Sequence, residues 1–437
     1  MKKTLFILLA AALLTAVSCD PSSKGPETAD IKVALELNGE AYVAEGVTVS
    51  MRDLGTNASY QALTDEAGQA SFTLPAGLYE ASVQHKVSEE GNLYIYNGLN
   101  SNIVVSAGVE DIFVVSLVES KSSQILIKEL YVGGCQKDDG SGAFTYDQYT
   151  ILYNNSSEEA DASGICFAIG NPGNAHAANK YLVDGVLTYE TEGWMPADYS
   201  IWWFQTPVTI APYSQILVAI QSGIDNTATY SQSVDLSKAD YYMYDPESGF
   251  NNASRYPAPA ESFPADHCLK TYRYSLGNAW PISNSSPAFY ILNKNGAEAY
   301  SQDANNLDYT PGATMPALKV PVEWIVDAIE VFSFPDREKS NKRLPASVDA
   351  GYAYLTAKYG YTLYRNVDKE ATEALPENEG KLVYGYAGGT NDLEEGGSTD
   401  PSGIDAEASI ANGAHIIYRD TNNSTYDFHQ RKVASIK

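Results

Sequence analysis

Between residues 31 and 118 the chain repeats one pattern: short runs alternating apolar and polar side chains, broken at Gly, Asn or Asp. "IKVALELNG", "GVTVSMRD", "YQALTD", "GQASFTL", "GLYEASVQHK" and "NIVVSAG" are each a strand's length. Period two with one apolar face predicts an antiparallel β-sandwich for this segment.

The β character continues beyond Ser122. "SQILIKELYVGG", "DQYTILYNN", "GICFAIG", "SIWWFQTPVTIAPYSQILVAIQ", "PAFYILNKNGAEAY" and "VEWIVDAIEVF" read as strands. The best helix candidate is "PASVDAGYAYLTAKYG", Pro345 to Gly360, and "GGTNDLEEGGSTDPSGIDAE", 388–407, is a loop by composition. The expectation is an all-β chain long enough for two or three domains.

The N-terminus carries a targeting segment. Lys2 and Lys3 precede an apolar stretch from Leu5 to Leu14, too short to span a bilayer. The run ends in "TAVSC" and resembles a bacterial lipobox, with Ala16 where the commonest pattern has leucine. That resemblance implies a signal peptide over 1–18, lipidation at Cys19 and a flexible tether over 19–30. Asp20 follows the cysteine as inner-membrane retention signals do, so this motif leaves the membrane open. No later segment approaches 18 consecutive apolar residues, so acyl chains are the expected anchor.

Formal charge is −27, and removal of Lys2 and Lys3 with the leader makes it −29. Such a field repels nucleic acid and anionic lipid surfaces, and it slightly favours cationic or metal-bearing cargo. Cys135, Cys166 and Cys268 allow one disulfide or none, and no CxxC spacing suggests zinc.

Two family resemblances add to this reading. "TDEAGQASFTLPAGLYEASV", Thr64 to Val83, is similar to transthyretin-like, carboxypeptidase-regulatory or collagen-adhesin B-type repeats. Some of those carry a Lys–Asn isopeptide bond; here Lys32 is placed for one but Val83 stands where the assisting acid belongs, so none is expected. From Leu126 onward the order "LIKEL", "TILYNNS", "WFQTPVTIAPYSQILVAI", "FYILNKNG" and "YRDTNNSTYDF" resembles a lamin-tail-type immunoglobulin-like domain. The implied architecture is a transthyretin-like sandwich over 31–118, then a large lamin-tail-like sandwich over 122–437. Long insertions are expected at about 170–200, 222–288 and 335–412. The whole resembles an uncharacterised family of Bacteroidetes surface lipoproteins commonly encoded beside TonB-dependent transporters.

Catalytic signatures do not appear: no HExxH, GxSxG, P-loop, or GxGxxG opening a helix. His85, His176, His267, His415 and His429 are scattered, so no cofactor or metal is expected. "CQKDDGSG", Cys135 to Gly142, has a calcium loop's composition without its ligand spacing, and reads as a solvated turn, as does "NDLEEGGSTD". In "ILYNNSSEEADASG", residues 151–164, Asn154 and Asn155 read as turn-formers suited to positive φ. Glu158, Glu159 and Asp161 then fall on an exposed connection.

Aromatic residues carry the main binding signal, with 32 Tyr against 12 Phe. Tyrosine offers flat apolar area and a hydroxyl at low entropic cost. The densest irregular stretch, Asp240 to Pro259, lies in an insertion, which makes Tyr241, Tyr242, Tyr244, Phe250, Arg255, Tyr256 and the nearby His267 the ligand-binding candidates. Tyr352 to Asn366 comes second, and Trp202 to Phe204 reads as core.

The resulting expectation is a non-enzymatic lipoprotein of the outer membrane, facing outward. It would bind a glycan, a peptide, or an iron or haem complex and present it to a TonB-dependent transporter. A structural or adhesive surface protein is the alternative, and a hydrolase is least supported.

Overall fold

A computed structural model of the chain describes residues 28–437, apart from 57, 90–91, 109–110, 122, 310–314 and 394–396. The leader, Cys19 and most of the tether lie outside the described residues. All-β is the outcome: strands dominate, and the described α-helices are Ala297–Gln302, Lys369–Glu373, Ala406–Ala411 and Ser424–Asp427. None of them is long and apolar enough to cross a membrane.

The chain forms two compact units. One gathers residues as far as Glu36 with Ala41–Ser82 and Asn100–Val115; the other takes Leu37–Glu40, Val83–Leu99 and Ser116–Lys437. In the first unit Thr28–Leu37 pairs antiparallel with Gln69–Pro75, and Thr48–Asp53 with Ser59–Leu63. The predicted alternation is visible in burial: Ile31, Val33 and Leu35 face inward with Phe72 and Leu74. Lys32 points outward, its Nζ donating to Gln69 Oε1 at 3.3 Å.

The larger unit is built on two six-stranded sheets. The first runs in the order 241–242, 215–219, 149–154, 125–131, 362–365, 428–431. The second runs 270–271, 202–203, 165–169, 288–293, 325–333, 353–355. Ile127, Ile151, Val218 and Leu363 of the first meet Phe167, Phe289, Ile291 and Ile329 of the second in one core.

Each sheet is covered on its other face as well. Tyr181, Tyr189, Trp194 and Met195 pack on Cys166, Ala168, Tyr290 and Leu292 of the second sheet. Val367, Ile404, Ala406, Ile416 and Tyr418 pack on Leu126, Tyr153 and Tyr364 of the first. This is why the central strands Ile125–Tyr131, Tyr149–Asn154 and Ile165–Ile169 are buried at every residue rather than at alternate ones.

Double-sided burial places charged side chains inside, and Lys128, Arg343 and Arg365 each meet a carboxylate there. Ile127 and Glu129 oppose the consecutive residues Leu152 and Ile151, so Lys128 is the extra residue of a β-bulge. Its ammonium sits 2.7 Å from Glu407 and 5.5–5.9 Å from the ring centres of Tyr153, Tyr364 and Tyr418. Arg365 bonds Asp327 and lies 3.6 and 3.8 Å from Asp420 and Asp427, the two acids of the "YRDTNNSTYDF" segment. Arg343 is held by Glu330 at 2.6 Å.

Two expectations are corrected and one open question closes. Pro345 to Gly360 is not a helix: Ala353–Leu355 is an edge strand parallel to Val331–Ser333, with Ala353 and Leu355 buried and Tyr352 and Tyr354 half-buried. Its apolar residues alternate as a strand's do, and the helical spacing comes from flanking turns. Asn154 and Asn155 do not adopt positive φ, although Asn154 bonds nearby backbone as a turn-former does, its Oδ1 accepting the Ser156 amide at 3.1 Å. Asn154 is fully buried, and its Nδ2 donates to the carbonyls of Glu158, Ile210 and Ala211 at 2.6, 2.9 and 3.1 Å. Cys135, Cys166 and Cys268 are free and buried, so the open disulfide question resolves to none among them.

Candidate ligand cleft

The hairpin "CQKDDGSGAF" begins the site. Cys135–Gln136 pairs antiparallel with Ala143–Phe144, and Gly140 N–H closes the turn onto Lys137 O at 3.0 Å. The stretch with calcium-loop composition is therefore a hairpin tip. Asp139 accepts the Ser141 amide at 2.9 Å, a bond that holds its carboxyl below the usual range. Asp138 reaches away from the turn and accepts both the amide and the hydroxyl of Ser231, at 3.0 and 2.9 Å. At the base Gly134 has φ +69°, and a Cβ there would stand 2.1 Å from Phe144 O. Only glycine permits that approach.

The second wall comes from residues 222–230. Ser222 turns the chain at φ +51°, donates its amide to Arg255 O at 2.7 Å, and donates its hydroxyl to Asn226 Oδ1 at 2.7 Å. Asn226 returns its Nδ2 to Ser222 O and Ile224 O, at 2.9 and 3.2 Å. Asp225 caps the following turn through Thr227 N. The third wall is the stretch 252–257, tied in by the Arg255 amide to Asn252 O at 3.0 Å.

Together these segments enclose a cleft of about 460 Å³, within the range of small-molecule sites. Phe144, Tyr146 and Tyr230 line it, each half-buried. Phe144 and Tyr230 stack with ring centres 4.5 Å apart and planes 28° apart. The Arg255 guanidinium lies 4.6 Å from the centre of the Tyr146 ring. Lys137, Asn226, Thr229 and Ser254 add polar groups to the lining. Directly behind the wall, Asp147 accepts from Ser233 Oγ at 2.6 Å and Tyr131 Oη at 3.2 Å, and burial pushes its carboxyl up to about 6.

The stretch Asp240 to Pro259 reaches the cleft with Ala253, Ser254 and Pro257, and Arg255 borders it. The other candidates sit elsewhere. Tyr242, Phe250 and Tyr256 are core residues, a correction to their expected exposure. Phe250 stacks on Trp202, Tyr256 Oη accepts the Trp280 amide at 3.0 Å, and Tyr242 Oη donates to Pro257 O at 3.3 Å. The segment closes one end of the sandwich, and its aromatic density serves that packing. Tyr244 leans on Tyr242, while Tyr241 and His267 stack on each other with centres 4.8 Å apart. The structure thus disperses the seven candidates over three places. Phe144, Tyr146 and Tyr230 were missed because no local density marks them; "GAFTYD" and "TATYSQ" are ordinary strand and turn sequences that only the fold brings together. Among the described residues, no three His, Cys, Asp or Glu side chains gather as metal ligands do.

Comparison with known proteins finds similarity to proteins of unknown function. A family model described as a protein of unknown function, DUF4876, matches residues 211–395. No curated protein matches the chain. A solved DUF4876 family protein from Bacteroides thetaiotaomicron is 21% identical, covers 91% of this chain and 94% of its own, and superposes with a TM-score of 0.50. A DUF3823 family protein from Parabacteroides merdae is 8% identical over 70% of this chain and 99% of its own, but its TM-score of 0.17 carries no structural argument. The chain is similar to DUF4876 proteins: in sequence over residues 211–395, and in fold to the Bacteroides member.

Proposed function

We propose that this chain is a non-enzymatic, lipid-anchored protein of the bacterial outer surface that binds a saccharide in the cleft and hands it to a TonB-dependent transporter. The observation that carries the binding reading is the lining itself. Three half-buried aromatic side chains line a cleft whose remaining lining is rich in hydroxyl and amide groups. Sugars are recognised in this manner, with apolar C–H faces against aromatic rings and hydroxyls against polar groups. The hairpin and the 222–230 wall are fixed by hydrogen bonds before any ligand arrives, which lowers the ordering cost of binding.

The anchor and the transporter rest on the lipobox-like N-terminus and on the resemblance to surface lipoproteins. The binding reading is tested by screening the full chain against neutral and acidic oligosaccharides. Hits should lose affinity at least about tenfold in Tyr230→Ala, the effect of removing one stacking anchor. Hits indifferent to Tyr230→Ala and Phe144→Ala would remove the cleft from the proposal. Co-extraction with an outer-membrane barrel protein tests the transporter link.

A further inference from the structure

We infer that the cleft selects an acidic saccharide, one bearing a carboxylate or sulfate, over its neutral counterpart; this rests on the saccharide-binding reading above. The chain carries a formal charge of −27, yet the cleft is bordered by two cations that form no ion pair with a carboxylate among the described residues. Lys137 lines it, half-buried, and among the described residues its ammonium has no ion-pair partner. Arg255, between the lining residues Ser254 and Pro257, lays its guanidinium on the Tyr146 ring and likewise forms no ion pair.

The neighbouring acids are already committed. Asp138 is taken by Ser231, Asp139 by Ser141, and Asp225 by Thr227. Each accepts two hydrogen bonds or closes a turn, and none forms an ion pair with either cation. Lys137 is a weak influence on Asp139, behind the amide and hydroxyl of Ser141.

An arginine stacked on an aromatic ring keeps its edge donors free and pre-oriented, the geometry that grips a carboxylate or sulfate with two parallel hydrogen bonds. A sugar ring lying against Phe144 and Tyr230 would carry its acidic substituent toward this pair. The surrounding negative field disfavours anions in general, so affinity must come from both the ring contact and the local cations.

The test is calorimetric titration of the full chain with trigalacturonate and with a neutral galactose trisaccharide of the same linkage. Trigalacturonate should bind at least about tenfold tighter, the ratio one charge-assisted hydrogen bond supplies. The ratio should shrink from about 50 mM to about 500 mM salt and collapse toward one in Lys137→Gln/Arg255→Gln, with melting temperature retained. Equal affinities for both sugars, each lost in Tyr230→Ala, would overturn the charge selectivity and leave the saccharide reading standing. Binding of neither these sugars nor any in the wider screen would remove both. Tight binding of polyglutamate with no response to Tyr230→Ala would overturn the saccharide assignment in favour of an acidic peptide.

Discussion

Asn155 and Tyr418, 263 positions apart, hold each other by two hydrogen bonds. Asn155 Nδ2 donates to Tyr418 O at 2.9 Å, and the Tyr418 amide donates to Asn155 Oδ1 at 2.7 Å. A side-chain amide here does what a neighbouring strand does elsewhere, joining the start of the larger unit to its C-terminal layer. With Asn154 beside it, the pair's side chains bind six backbone groups.

Asn154→Ala is therefore expected to destabilise the larger unit by about 2–3 kcal/mol, since it leaves buried carbonyls without donors. Glu158→Ala and Glu159→Ala, whose side chains are exposed, should leave the urea midpoint unchanged. Urea titration of the three variants checks the contrast.

Gly134→Ala should lower stability by about 1–3 kcal/mol, because the added Cβ meets the Phe144 carbonyl at a backbone angle that alanine adopts poorly. Its second effect is on the cleft. With Phe144 displaced, sugar affinity should fall further than the stability loss alone accounts for, a comparison made by titrating ligand well below the melting temperature.

Lys128 and Glu407 allow a double-mutant cycle. Glu407→Gln leaves a buried ammonium without its counter-charge and should cost about 3 kcal/mol. Lys128→Met in that background should recover most of the loss, as the side chain then joins the three tyrosine rings as an apolar group. Failure to recover would assign the cost to the Glu407 bond with Tyr364 instead.

Asp147 contributes one part of the pH dependence. Burial raises its folded pKa to about 6, above the unfolded value of about 4, so the folded chain holds this proton more tightly. The contribution is fully present below about pH 4 and is lost as pH rises through about 6. Melting temperature should decline across that window in the wild type. In Asp147→Asn the decline should be shallower, with a gain of about 1–3 kcal/mol at pH 7.5.

The sequence disclosed the all-β class because strand alternation and turn residues are local. It disclosed the central strands because "ICFAI" and "ILYN" are apolar without interruption. "ILIKELY" was harder: Lys128 and Glu129 look like solvent-facing residues, and only the C-terminal layer that supplies Glu407, and Ser435 for Glu129, makes them interior. The same cause takes the aromatic candidates away from the cleft. Tyr242 and Phe250 share a segment with Arg255, but packing against Trp202 and the sandwich end takes their rings inward and leaves the guanidinium out. Tyr230 faces Phe144 across 86 residues of chain, a juxtaposition no window along the sequence contains.

The cleft's walls meet through Asp138 and Ser231, both on the protein surface, while the sheets are sealed on each side by other segments. Changes at the hairpin tip, 138–142, where every residue is exposed, thus propagate into neither hydrophobic core. Related chains on this scaffold are free to diverge there, acquiring new ligand preferences at almost no risk to folding, whereas the layers plating the sheets must change in step with what they cover.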